Sequence, residues 1–73
     1  MGNKIDFGEK LRRLRESREL TQSALAGAVY MTQRKISYLE CGKYEPRLSD
    51  LVTLCCFFKV SADDLLGLPR FKT

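Results

Sequence analysis

Apolar residues recur along this chain at spacings of three and four, the repeat of one face of an α-helix, and few stretches alternate as a strand would. Phe7, Leu11 and Leu14 mark the inner face of a first helix. Asp6 with Glu9 opens it as a variant capping box, and it is predicted to end near Ser17 to Glu19. Thr21 is placed as the N-cap of a second helix over Gln22 to Val29, with Leu25, Ala26 and Val29 inward and Ala24 small enough for close helix approach. Tyr30 and Met31 break the pattern. Thr32 caps a third helix from Gln33 to Cys41, which Gly42 stops in left-handed geometry. Lys43 to Arg47 is read as a polar turn, with Pro46 barring helix continuation from before it. A fourth helix is predicted over Leu48 to Phe58, with Leu51, Leu54, Cys55 and Phe58 as its inner stripe. Ser61 with Asp64 reads as the capping box of a short fifth helix carrying Leu65 and Leu66 and ended by Gly67 and Pro69. The expectation is one all-α, five-helix domain spanning residues 1–73, with its core over about 6–67 and a tail over 68–73.

Only Tyr30, Met31 and Thr32 separate the second and third helices. That spacing is the one of a helix-turn-helix unit, whose second helix lies in the DNA major groove. The third helix turns Ile36 and Leu39 inward and leaves Gln33, Arg34, Ser37 and Tyr38 on one outer face. Glutamine pairs bidentately with adenine, arginine with guanine, and serine with either. The bland alternative for these residues is an ordinary solvated face. Lys10, Arg12 and Arg13 are read as solvated rather than as DNA contacts, and Lys35 is left open between the two.

Composition changes this picture mainly by exclusion. The chain has 73 residues, 44% of them apolar, enough for one small core. Thirteen Lys and Arg against nine Asp and Glu give a net charge of +4, which suits a polyanion without demanding one. No histidine is present, so the commonest general acid–base is missing, and the glycines are too scattered for a phosphate loop. Cys41, Cys55 and Cys56 form no C-x-x-C pair, which argues against zinc and against a disulfide framework. No enzyme activity, cofactor, metal or small-molecule ligand is therefore expected. The N-terminus is polar and no apolar run approaches a membrane span, so the expected location is the cytoplasm, on DNA, away from membranes.

The stretch FGEKLRRLRESRELTQSALAGAVYMTQRKISYLECGKYEP, followed by LSDLVTLCCFFKVSADDLLG, resembles the Cro/repressor-type helix-turn-helix family, the lambda-repressor-like DNA-binding domains. The resemblance covers about five-sixths of the chain. It rests on Arg15, Leu20–Thr21–Gln22, Leu25–Ala26, Ile36, Leu39–Glu40, Gly42–Lys43, Pro46, Val60–Ser61 and Leu65–Leu66, in that order. It implies that Gln33, Arg34 and Ser37 read bases and that Tyr38 touches backbone or a thymine methyl. It implies that Gln22 contacts a phosphate and braces Gln33, with Thr32 and Lys43 also on the DNA backbone. Arg47 would enter a narrow minor groove. Arg15 and Glu40 would form a buried ion pair, the alternative being two surface charges.

The sequence departs from the family at three points. Tyr30 stands where the turn often has glycine, Gly27 sits inside the second helix, and Arg47 replaces the usual serine cap of the fourth. Val52, Cys56 and Phe57 lie off the inner stripe of the fourth helix. With Leu68 and Phe71 they read either as peripheral core or as a homodimer surface. The function implied is a sequence-specific regulator of transcription, in the first instance a repressor on a palindromic operator of double-stranded DNA. With the residues ending at Thr73, its control is expected from abundance, partners or oligomerisation. The competing reading is a protein-interaction module, such as an antitoxin or adaptor, on the same fold.

Overall fold

The computed structural model describes residues 7–61, 64 and 65. Four helices follow in order among them: α1 (Phe7–Ser17), α2 (Gln22–Ala28), α3 (Gln33–Cys41) and α4 (Leu48–Phe58). The expected all-α class is present, with four helices counted among the described residues where five were expected. At the fifth position Ser61 Oγ accepts from the Asp64 N–H at 3.1 Å, and the Leu65 N–H reaches Ser61 O at 3.0 Å. Leu65 is fully buried. Leu66, Gly67 and Pro69, on which the rest of that helix depends, lie outside the described residues, as does Asp6.

The start of each helix is specified locally. Thr21 and Thr32 both have extended backbones, and each hydroxyl accepts from the N–H three residues on, at 3.0 Å. Arg47 has no side-chain acceptor to offer α4. Asp50 supplies the bond instead, its Oδ2 accepting from the Arg47 N–H at 3.0 Å. That is the returning half of a capping box, and it compensates for the missing serine.

The ends share one device. Glu19, Tyr30, Gly42 and Lys59 are all left-handed, with φ of 57°, 60°, 85° and 60°. After each, an N–H bonds back five residues: Leu20 to Arg15, Met31 to Ala26, Lys43 to Tyr38 and Val60 to Cys55. This is the Schellman closure, which satisfies the last carbonyls of a helix. Three of the four residues that follow, Leu20, Met31 and Val60, pack against the core. Three of the four left-handed positions lack glycine, at a cost of about 1 kcal/mol each. Tyr30 takes this left-handed geometry without the freedom of glycine.

One core joins the helices. Phe7, Leu11, Leu25, Ala26, Val29, Ile36, Leu39, Leu54, Phe58 and Leu65 are buried, with Leu14, Leu51 and Cys55 partly so. The close approach expected at Ala24 falls elsewhere, since Ala24 is exposed. It belongs to Gly8, where a Cβ would overlap the Glu40 carbonyl and come within 2.8 Å of Leu39 O. The first turn of α1 therefore rests on the backbone of the last turn of α3.

Two polar contacts complete the packing. Arg18 donates to Phe58 O at 2.8 Å and holds its guanidinium 5.3 Å from the Phe58 ring centroid, tying the end of α1 to the end of α4. Lys35 Nζ meets Asp50 Oδ1 at 2.9 Å, tying α3 to the start of α4. No described helix is long and apolar enough to cross a membrane.

The two helical glycines are expected to respond oppositely to alanine. At Gly27 a Cβ meets nothing within 4 Å, so Gly27→Ala should stabilise by about 0.5–1 kcal/mol. Gly8→Ala should destabilise by about 1–3 kcal/mol through overpacking. Urea unfolding of both variants beside the parent measures the two signs.

Candidate nucleic-acid interface

The outward face of α3 follows from what its inner face buries. Ile36 and Leu39 are 0% and 1% exposed, and they fix the rotation of the helix about its axis. Gln33 and Arg34 are then exposed at its N-terminal turn, with Ser37 and Tyr38 half-buried beyond them. Thr32 is itself exposed and spends its hydroxyl on the cap.

Behind that face runs a continuous chain of polar contacts. Arg15, on α1, donates from Nε to Glu40 Oε2 at 2.6 Å and from Nη2 to Glu40 Oε1 at 3.1 Å. Its Nη1 donates to Leu20 O at 2.8 Å, so the same guanidinium also holds the α1–α2 connection. The Glu40 side chain is only 4% exposed. Its hydrogen bond and charge hold the Arg15 pKa above the ordinary arginine value, against the effect of burial. Gln22 Nε2 donates to Glu40 Oε1 at 3.0 Å, and Gln33 Nε2 donates to Gln22 Oε1 at 2.6 Å. Four residues from three helices thereby connect a buried ion pair to an exposed amide.

The far end of α3 carries a second cluster. Tyr38 O accepts from the N–H groups of Gly42, Lys43 and Tyr44, folding the loop back on the helix. The Tyr44 ring meets the Tyr38 ring edge-on at 5.0 Å, and Lys43 Nζ lies 5.4 Å from the Tyr38 centroid. Lys43 and Arg47 are exposed. Tyr44 escapes sequence reasoning because its partner is one loop away rather than one helical turn. The Lys35–Asp50 pair escapes it too, although an acidic residue three places after a helix cap was a usable signal.

Of the residues weighed as a dimer surface, Val52 is 54% exposed and Cys56 is exposed. Leu48, 76% exposed, lies on the same face at four-residue spacing. Phe57 turns the other way, half-buried against the core and edge-on to Phe58 at 5.0 Å. Leu68 and Phe71 lie outside the described residues. Lys10 is half-buried, Arg12 is exposed, and Arg13 pairs with Glu9 at 2.7 Å on the surface.

Asp50 gives the interface an acid limit. Burial alone would raise its carboxyl, but the bonds and charges of Lys35 and Arg47 outweigh that and hold it below the ordinary value of 3.8. A carboxyl lowered in the native state contributes stability above its unfolded pKa and loses it as pH falls through the native one. Stability should therefore be flat near neutrality and fall as pH drops below about 4. Asp50→Asn should start less stable and show a shallower acid decline, as read by thermal melts across pH.

Comparison with known proteins agrees with this geometry. Residues 6–68 match the family model described as helix-turn-helix domain. The HTH-type transcriptional activator BcrR of Enterococcus faecalis is 40% identical over 63 residues. That match takes in 86% of this chain but only 31% of BcrR, so the chain spans about a third of that relative. A transcriptional regulator from Listeria innocua superposes with a TM-score of 0.86 at 25% identity, over 97% of this chain and 66% of the other. The P22 c2 repressor, solved in complex with a synthetic operator, superposes with a TM-score of 0.77 at 32% identity, over 82% and 91% of the two chains. The family model takes in α1 to α4, including the threonine-capped α2 and α3 and the turn between them, and the chain belongs to the helix-turn-helix domain family.

Proposed function

We propose that this chain binds double-stranded DNA sequence-specifically and regulates transcription, with α3 in the major groove. The observation that carries the proposal is the outer face of α3. Gln33 and Arg34 are exposed at the helix N-terminus, where side chains reach base edges, and Gln33 is held from behind by Gln22. The printed descriptions of BcrR as a transcriptional activator and of P22 c2 as a repressor on an operator support it. An activator and a repressor share this contact with DNA. Repression follows where the bound site overlaps that of the polymerase, and it is the direction this reading takes.

Gln33, Arg34, Ser37 and Tyr38 then choose the sequence, while Gln22, Thr32, Lys43 and Arg47 meet the backbone or the minor groove. Arg47 is exposed, which leaves its guanidinium free to meet a phosphate or a narrow groove. The role is binding rather than catalysis. In this proposal a homodimer sets two α3 helices about 34 Å apart on a palindrome. Exposed Leu48, Val52 and Cys56 offer an apolar face for it.

That apolar face is also what favours the second reading, a protein-interaction module that uses α4 rather than α3. Selection of bound sequences from random duplex DNA separates the two. The proposal expects one enriched site with two-fold symmetry. Arg34→Ala should then relax one base pair by about 1–3 kcal/mol. Lys43→Ala should weaken all sequences alike and reduce the salt slope by about 1. Unchanged selectivity in Arg34→Ala would remove it from the reading face, and no enriched sequence at all would favour the interaction module.

A further inference from the structure

We infer that Glu40 is a specificity-determining residue, whose buried charge fixes which way the side-chain amides of Gln22 and Gln33 point. The inference rests on the proposal that Gln33 meets a base edge.

A carboxylate has acceptors and no donor, whereas a glutamine amide has both and can turn either end toward a partner. Glu40 Oε1 lies 3.0 Å from Gln22 Nε2, so Gln22 must present its NH2 inward. Its Oε1 is then the atom left facing outward. Gln33 lies 2.6 Å from that oxygen and must in turn present its own NH2. Reversing either amide would set two acceptors against each other at hydrogen-bond distance. A chain of two neutral amides would ordinarily be free to reverse as a unit. The charge at its inner end removes that freedom. Arg15 gives the carboxylate two further donors and shields it from solvent, so Glu40 stays in place to do this.

The consequence lies at the outer end. With one N–H spent on Gln22, Gln33 offers DNA its Oε1 and one remaining N–H. An acceptor beside a donor is the complement of adenine, whose N6–H2 donates and whose N7 accepts. A reversed Gln33 would offer both N–H groups and would suit guanine, which presents two acceptors, O6 and N7. Glu40 therefore selects adenine over guanine at this base pair without touching DNA. It acts as a positioning residue, through Gln22.

Two variants break the chain at different points. Glu40→Gln replaces the carboxylate with a group that both donates and accepts. Gln22→Leu removes the relay and leaves the Arg15–Glu40 pair intact, so it remains informative if Glu40→Gln fails to fold. Gln33→Ala identifies the base pair concerned. Each full chain is carried through selection from random duplex DNA, with thermal melts to confirm folding. The parent should prefer adenine over guanine at that position by about tenfold or more, the discrimination of one good bidentate pair. In Gln22→Leu, and in Glu40→Gln if folded, that ratio should fall toward equality while preferences at the Arg34 base pair persist. A purely structural Glu40 would instead lower affinity for all sequences and leave the ratio alone. If Gln33→Ala changes a base preference but the folded relay variants keep the parent's ratio, the inference is overturned and the base-reading role of Gln33 stands. If Gln33→Ala changes no preference, both fall.

Discussion

The N-terminal end of the outer face of α3 is tied, through Gln33 and Gln22, to one buried charge. Glu40 sits at the last turn of α3 under the first turn of α1. It is held by two bonds from Arg15 and gives one acceptor to Gln22. Arg15 in turn secures Leu20 O at the entry to α2. Three helices are thus registered at one carboxylate. A buried pair of this kind is no large source of stability in itself, yet losing one partner strands the other at a cost of about 3–5 kcal/mol. In a domain whose whole stability is on the order of 5–15 kcal/mol, such a contact constrains which arrangements of the helices survive.

The rest of the architecture keeps that centre in register. Gly8 lets α1 come down onto the Leu39 and Glu40 carbonyls, which no larger residue would permit. Lys35 anchors the first turn of α3 to the start of α4 through Asp50, and Arg18 anchors the end of α4 to the end of α1. Four left-handed closures turn the chain sharply after each helix, and three of them return an apolar residue to the core. Three non-glycine residues in that geometry carry a local cost, which the apolar anchors Leu20, Met31 and Val60 help offset. Short helices are marginal alone, so the position of α3 depends on these tertiary fastenings rather than on helix propensity.

Much of this was legible in the sequence where the determinant is local. Thr21 and Thr32 announce α2 and α3, Gly42 announces the end of α3, and the apolar spacing gives the inner faces of all four helices. The outer face of α3 follows by subtraction. What was not legible depends on pairs distant in the chain. Ala24 and Gly8 are both small, and only the fold shows that a neighbouring backbone lies against Gly8. Phe57 and Val52 both sit off the inner stripe of α4, and only the fold turns one inward and leaves the other out. Asp50 looks like a solvated acid until Lys35 is brought to it. The contact from Gln22 to Glu40 joins two positions whose separate roles were each suggested by family resemblance. Their direct bond, and the direction it imposes on Gln33, exist only once α2 and α3 are packed together.

The face of α3 that Ile36 and Leu39 turn outward, braced by Glu40 through Gln22, is the one proposed to meet DNA. The most direct measurement is an NMR titration of the labelled chain with a duplex carrying its selected sequence, following backbone and side-chain amides together. The largest shifts are expected at Gln22, Gln33, Arg34 and Ser37, with smaller ones reaching Lys43 and Arg47. Shifts concentrated at Leu48, Val52 and Cys56, with Gln33 and Arg34 unmoved, would contradict it.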